Sequence, residues 1–355
     1  AAALIASGFH PHNFSQQHGG AAPYGWAAAL SAIASGGLVF AYTGFRNVIE
    51  LSGEARNPRR TVPRALIVTI LVTIVLYLVL QTAFLGAVPE RLLGSGWHGI
   101  DLSSPFAQLA LALNMTWLYW ILMADAMVSP SGSAIVYTAS NARNSYGLAK
   151  NNFFPRWLMK IDARWRVPTR ALSANFAVGL AFLLPLPSWH AIIGITGTLA
   201  VFTFAVGSVS VAAFRHCEIG GPNTRIPGMR FIAPAAFAIS SMVIFWVPWS
   251  TLVKSAPILA AGLIFYALNY FRDRSSVGDL RSGIWLPVYF AVLYGLSALG
   301  SFGGRAVLAA PWDSLVVALV SLVIYRWAVR SATRFMTADP RRTDSLRAEA
   351  ALDRG

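Results

Sequence analysis

An all-α polytopic membrane protein is what the sequence predicts, on three observations. Of its 355 residues, 56% are hydrophobic and 12% charged, where a soluble domain carries about 25% charged residues. Apolar runs near the roughly 20 residues needed to span a bilayer recur along the chain. Between them, basic residues collect in alternate loops, the pattern of cytoplasmic loops. The net charge of +14 is thereby a matter of topology, and nucleic acid is not an expected partner; the lipid bilayer is.

The opening AAALIASG reads as the last turns of an apolar helix, and the sequence therefore as N-terminally truncated. Spans follow at 26–51, 64–88, 105–146, 170–186, 190–214, 231–249, 256–271 and 284–300, with a ninth at 311–329. The first starts apolar and then places Gly44, Arg46 and Glu50 where lipid does not tolerate them. The second is the cleanest, with no charge between Ala65 and Val88. The third is long and spans in part. Some of the remainder are short enough to tilt or shift by a few residues. The loops confirm the alternation independently. Phe9 to Gly25 has no Lys or Arg, and the next loop holds Arg56, Arg59, Arg60 and Arg64. Arg91 stands alone, then a basic loop runs from Arg143 to Arg170. Arg215, Arg225 and Arg230 precede a lone Lys254; Arg272, Arg274 and Arg281 precede a lone Arg305 and the Arg-rich tail. Every basic loop falls on one side, assigned to the cytoplasm. Residues 1–335 are thus a transmembrane domain and 336–355 a polar, disordered cytoplasmic tail. Trp97, Trp117, Trp189, Trp249 and Trp285 mark the interfaces.

Arg46, Glu50 and Asp125 stand out as ionisable groups inside apolar spans. Such groups are costly in lipid and usually face a cavity and pair. Arg46 and Glu50 are four apart on one helix face, either as a local ion pair near the helix end or with Glu50 orienting Arg46 into a pathway. Just before them stand Gly36-Gly37 and Ala41-Tyr42-Thr43-Gly44. Glycine weakens a helix by about 1 kcal/mol relative to alanine, and threonine competes for backbone hydrogen bonds. The stretch permits an unwound turn near Tyr42 to Gly44, which in a transporter marks the substrate site; small-residue helix packing is the competing reading. In the third span Asp125, Ser129, Ser131 and Ser133 surround Pro130 and Gly132. Pro130 removes a backbone donor and kinks the helix. Asp125 is a candidate proton carrier if buried, or an acid satisfied by neighbouring hydroxyls. His10, His12 and His18 cluster without an evident fourth ligand, so no metal is expected. Cys217 is the single cysteine, an ordinary loop thiol. No phosphate-binding loop, nucleophile elbow, zinc-peptidase or dinucleotide motif occurs, so neither a cofactor nor enzyme activity is expected.

FAYTGF at 40–45 followed by GEARNPRRTVPRAL at 53–66 resembles the sixth helix and next loop of amino acid–polyamine–organocation permeases. VSPSGSAIVYTASNARNSYGLAKNNFFP at 128–155 resembles that family's eighth helix and exit loop, and VPTRAL at 167–172 and RIPGMRFIAP at 225–234 its loops before helices nine and eleven. The resemblance implies a fold of two inverted five-helix repeats with helices one and six unwound around the substrate. On this match the chain runs from the end of helix five through helix fourteen: the second repeat (helices six to ten), about four further helices, and no first repeat. Phe40, Ala41, Tyr42, Thr43 and Gly44 would supply half the substrate site, and this fragment alone would not transport. Many members carry an acid after Gly-Phe, where this chain has Arg46. A cation there favours an acidic substrate, so the resemblance implies a secondary amino acid permease of the cell membrane coupled to protons (or sodium), carrying acidic amino acids as bacterial aspartate–proton symporters do. Glu50, Asp125 and Ser129 are the ion-coupling candidates. A carrier of neutral amino acids or amines on the same fold, and a non-transporting sensor or inactive fragment, are the alternatives.

Overall fold

The computed structural model describes residues 1–14, 22–94, 96–97, 100, 102–151, 153–183, 188–219, 227–272, 281–340, 343–344 and 347. His18, Arg225, Arg274 and most of the tail expected at 336–355 lie outside the described residues. Among the described residues there are thirteen α-helices and no strand. They divide into two compact units: Ala1–Ala29 with Tyr42–Pro185, and Leu30–Ala41 with Leu186–Gly355. Among the described residues five helices are long and apolar enough to cross a membrane, which makes this an all-helical polytopic membrane protein.

The first unit begins with α1 (Ala2–Ser7) and takes in the start of α2 (Trp26–Ser35). Its longest apolar element is α5 (Pro58–Ala87), 30 residues and so about 45 Å. The helix starts before the expected Arg64 because Pro58 occupies its first position, where the missing N–H costs nothing and φ is already helical. Arg60 and Arg64 therefore ride on the first turns of α5 and are not in a loop. Ile67, Val68, Leu71, Val72, Val75 and Leu78 are all exposed, as lipid-facing residues must be. At the other end the last carbonyls have no intrahelical donors, and the segment after α1 provides them. The Asn13 side-chain amide donates to the Leu85 and Val88 carbonyls at 2.9 Å, and the His10 N–H to Gly86 at 2.8 Å. Leu4, Ala83, Ala87, Val88, Leu93 and Leu109 form the small core around this cap.

The span expected at 105–146 is corrected to two helices, α6 (Pro105–Ala112) and α7 (Thr116–Lys150). The chain turns between them at Asn114, with φ 58°, a left-handed conformation that asparagine tolerates better than most residues. Pro130 does not end the helix: α7 is helical from Thr116 to Lys150. Proline withdraws one donor, that of the Ala126 carbonyl; one residue on, Ser131 Oγ reinforces the ladder by donating to the Met127 carbonyl at 2.7 Å. The unit closes with α8 (Thr169–Leu183), tied to α7 by Ser145 Oγ donating to Asn175 Oδ1 at 3.1 Å.

The second unit is the better packed. It holds α9 (Trp189–His216), α10 (Met229–Phe245), α11 (Trp249–Arg272), α12 (Trp285–Leu299) and α13 (Trp312–Thr337). Phe202, Phe237, Tyr289 and Tyr325 meet in its centre; the Phe237 ring lies 5.0 Å from Tyr289 and 5.5 Å from Tyr325. Lipid is as apolar as this core, so what holds membrane helices together is close packing and hydrogen bonding. Tyr289 supplies both: fully buried, it shares a 2.9 Å hydrogen bond with Ser241, whose hydroxyl also reaches the Phe237 carbonyl at 2.8 Å. Asp313 is fully buried at the start of α13. Its carboxylate accepts from Ser301 Oγ at 2.5 Å, Ser301 N at 3.2 Å and Ser314 N at 2.6 Å, anchoring the 300–311 connection.

The span expected at 26–51 is broken twice. Helix α2 stops at Ser35, α3 covers Leu38–Ala41 and α4 covers Phe45–Glu50. The two units of the chain divide between Ala41 and Tyr42.

Candidate functional site

Two glycines make the first break. Gly37 has φ +91°, a conformation that side-chain-bearing residues avoid. A Cβ on Gly36 would sit 2.6 Å from the Ala32 carbonyl oxygen, the same atom that accepts the Gly36 N–H at 2.9 Å. Helix α9 meets this break with two glycines of its own. A Cβ on Gly194 would lie 3.7 Å from the Ser35 carbonyl oxygen, and one on Gly197 3.8 Å from that of Ala34 and 3.9 Å from the Phe40 nitrogen. Backbone thus faces backbone, and the carbonyls that end α2 have no intrahelical donors. Phe40 and Ala41 belong to the short helix α3 that follows, in the second unit.

Tyr42, Thr43 and Gly44 form the second break, a turn in the first unit. Gly44 itself is right-handed, with φ −56° and ψ −24°, so the turn does not depend on a positive φ there. It tightens through three-residue hydrogen bonds, from Arg46 N to the Thr43 carbonyl at 3.1 Å and from Asn47 N to Gly44 at 3.2 Å. Its side chains are fixed by distant tyrosines. The Tyr42 ring stands edge-on to Tyr77 of α5 at 5.3 Å. Buried Thr43 shares a 3.3 Å hydrogen bond with Tyr137 Oη of α7.

One turn further, Arg46 Nη2 donates to Glu50 Oε1 at 3.5 Å, with the arginine side chain 38% and the glutamate 17% exposed. A helical pair of this spacing contributes about 0.2–0.5 kcal/mol and works better with the acid N-terminal to the base. Here the order is reversed. The pair therefore adds little to the helix. Asn47 Oδ1 and Ser140 Oγ are buried polar atoms with no hydrogen-bond partner among the described residues.

Asp125 and Ser129 are placed differently. Both are exposed on α7, within a stretch from 124 to 136 in which every residue is exposed, so the burial expected of Asp125 is not provided by the described residues. No hydrogen bond or ion pair joins either to Glu50 among the described residues. The reading of the sequence missed Tyr77, Tyr137, Asn47 and Ser140. Asn47 and Ser140 were visible as polar residues in apolar helices; the two tyrosines carried no local signal.

An amino acid permease family model matches residues 1–270. The glutamate/serine transporter AimA of Bacillus subtilis (strain 168) is 37% identical over 337 residues, 93% of this chain and 62% of that protein. The aspartate-proton symporter of the same organism is 32% identical over 330 residues, 90% of this chain and 63% of the relative. Its branched-chain amino acid permease BcaP is 25% identical over 280 residues, 78% of this chain and 57% of the relative. The chain therefore spans a little under two thirds of the length of the first two. No solved structure matches.

Proposed function

The chain belongs to the amino acid permease family, and from that premise we propose that it forms part of a proton-coupled secondary transporter for acidic amino acids. The observation that carries this reading is the doubly broken segment that ends in Arg46, half exposed and held by Glu50. Broken helices at mid-membrane present backbone groups to a substrate. Phe40 to Gly44 contribute such groups, with Tyr42 and Thr43 fixed by Tyr77 and Tyr137. Arg46 receives the side-chain carboxylate of glutamate or aspartate, a charge-assisted contact stronger than a neutral one. The names of the two relatives, a glutamate/serine transporter and an aspartate-proton symporter, support both the substrate class and the coupling ion. Glu50, Asp125 and Ser129 are the residues proposed to couple to the proton. The segment from α2 to α4 corresponds to helix six of the inverted-repeat fold, and the basic loops and C-terminus lie in the cytoplasm of a cell-membrane protein.

Serine is a second cargo, favoured by the name of the first relative. The test is uptake of labelled glutamate, aspartate and serine by the gene product containing this sequence, reconstituted into proteoliposomes with and without a pH gradient. Arg46→Gln should weaken the acidic substrates by about 10- to 100-fold, the loss of one charge-assisted hydrogen bond, and leave serine nearly unchanged. Equal loss for all three would remove Arg46 from substrate selection. Indifference to the pH gradient would exclude proton coupling.

A further inference from the structure

At the end of α13 the second unit carries a groove of about 1050 Å³. Four arginines line it: Arg281, which precedes α12, and Arg326, Arg330 and Arg334 of α13. The last three follow one another at four-residue spacing and share a helix face, where like charges repel by about 0.2–0.5 kcal/mol a pair. All four are exposed, and none has an acidic partner at ion-pair distance among the described residues. Asp339 also lines the groove, one carboxylate against four guanidinium groups among the described lining residues. The charge balance asks for an anion.

The position of the groove says which kind. With a rise of 1.5 Å per residue, Arg326 lies about 21 Å and Arg334 about 33 Å along α13 from Trp312, so the cluster straddles the edge of a hydrocarbon layer about 30 Å thick. Leading up to it on α13 is an uncovered apolar line, again at four-residue spacing: Leu315, Leu319 and Val323, exposed by 48%, 57% and 69%. Val323 and the interfacial Trp327 are themselves part of the groove wall. Apolar track and arginine cluster are continuous, which suits a ligand with both an acyl chain and an anionic head.

We propose that this groove binds an anionic phospholipid, with its phosphate among Arg281, Arg326, Arg330 and Arg334 and an acyl chain along Leu315, Leu319 and Val323. A free phosphate ion would use the arginines alone. The experiment is native mass spectrometry of the detergent-purified chain with added phosphatidylglycerol, with phosphatidylcholine of the same acyl chains, or with inorganic phosphate. Bound phosphatidylglycerol should survive on the unaltered protein in preference to phosphatidylcholine. Each arginine near an anionic head contributes about one factor of five in affinity, so the triple variant Arg326→Gln, Arg330→Gln, Arg334→Gln should lose about 100-fold. The corresponding triple lysine variant keeps the charge and should hold most of the lipid, which separates loss of charge from loss of fold. If the glutamine variant does not fold, a salt titration of the unaltered protein decides, because phosphatidylglycerol retention must fall with ionic strength while that of phosphatidylcholine does not. Equal retention of the two lipids, unchanged retention in the glutamine variant, or displacement by millimolar inorganic phosphate would each overturn the assignment.

Discussion

Replacing Gly37 with alanine should fuse α2 and α3 into one helix. The residue has φ +91°, and a left-handed backbone costs an alanine about 1–2 kcal/mol. Alanine also favours a helix over glycine by about 1 kcal/mol. The two effects act in the same direction and together tilt the break toward continuous helix by about 2–3 kcal/mol, or about 30- to 150-fold in the ratio of the two forms. Sterics do not blur the experiment: a Cβ on Gly37 would meet its nearest neighbour, Ile193 Cγ2, at an ordinary 3.6 Å. Hydrogen exchange reads the outcome. In the broken form the amides of Leu38 and Val39 begin a helix and have no intrahelical acceptors; in a continuous helix they reach the Ala34 and Ser35 carbonyls. Exchange over residues 38–39 should slow by up to about 30- to 150-fold, and uptake by the reconstituted gene product should fall. Unchanged exchange at Leu38 and Val39 would show that glycine at position 37 does not hold the break open, and the reasoning from φ would fail.

Two further outcomes follow from local geometry. A Cβ on Gly304 would collide with backbone oxygens of Ser297, Ala298 (2.7 Å) and Gly300 (2.8 Å), none of which can move without disturbing the bonds from Gly300 N to Ser297 O at 3.3 Å, from Arg305 N to Ala298 O at 2.8 Å and from Ala306 N to Gly300 O at 3.1 Å. A Cβ on Gly86 would collide with the ring of Phe9 instead, which is 37% exposed and can swing away. Gly304→Ala should therefore cost about 2–4 kcal/mol and Gly86→Ala less than about 1, and thermal melting in detergent should rank them in that order; equal shifts would refute the distinction. Burial raises the Cys217 thiol above its ordinary value, with Arg347 opposing in part. Raised means less thiolate at pH 7–8, so maleimide should label Cys217 in the folded protein more slowly than a free thiol and accelerate as pH rises; labelling at the free-thiol rate near pH 7 would contradict the burial.

Much of the architecture was legible because membrane helices announce themselves by length and hydropathy. The spans at 64–88, 190–214 and 311–329 correspond to α5, α9 and α13 with ends moved by up to eight residues. The start of α5 was missed because arginines read as loop, while Pro58 was already in helical position. The split between α6 and α7 was missed because it turns on one backbone angle at Asn114, flanked by Leu113 and Met115, and an apolar run does not record a reversal. At the candidate site the glycines and Thr43 signalled a break; they could not say that there were two. Nor could they name Tyr137, 94 residues from Thr43, since no local pattern encodes a contact at that separation.

Hydropathy also fails to say which side of a helix lipid touches, and α7 shows where the distinction matters. Every residue from 124 to 136 is exposed, yet the stretch is not uniform. Asp125, Ser129 and Ser133 follow at four-residue spacing along one line, while Met127, Val128 and Ile135, exposed by 77%, 70% and 73%, lie off it. The second set suits lipid. The first does not: a carboxylate at the centre of a bilayer costs about 2.5–3.5 kcal/mol even on the mildest scale, more than three exposed apolar neighbours on the same helix can offset by choosing an orientation. The line through Asp125 and Ser129 must therefore meet water or polar protein groups when the chain is in a membrane. That requirement, and not any contact among the described residues, keeps these two positions among the candidates for proton coupling.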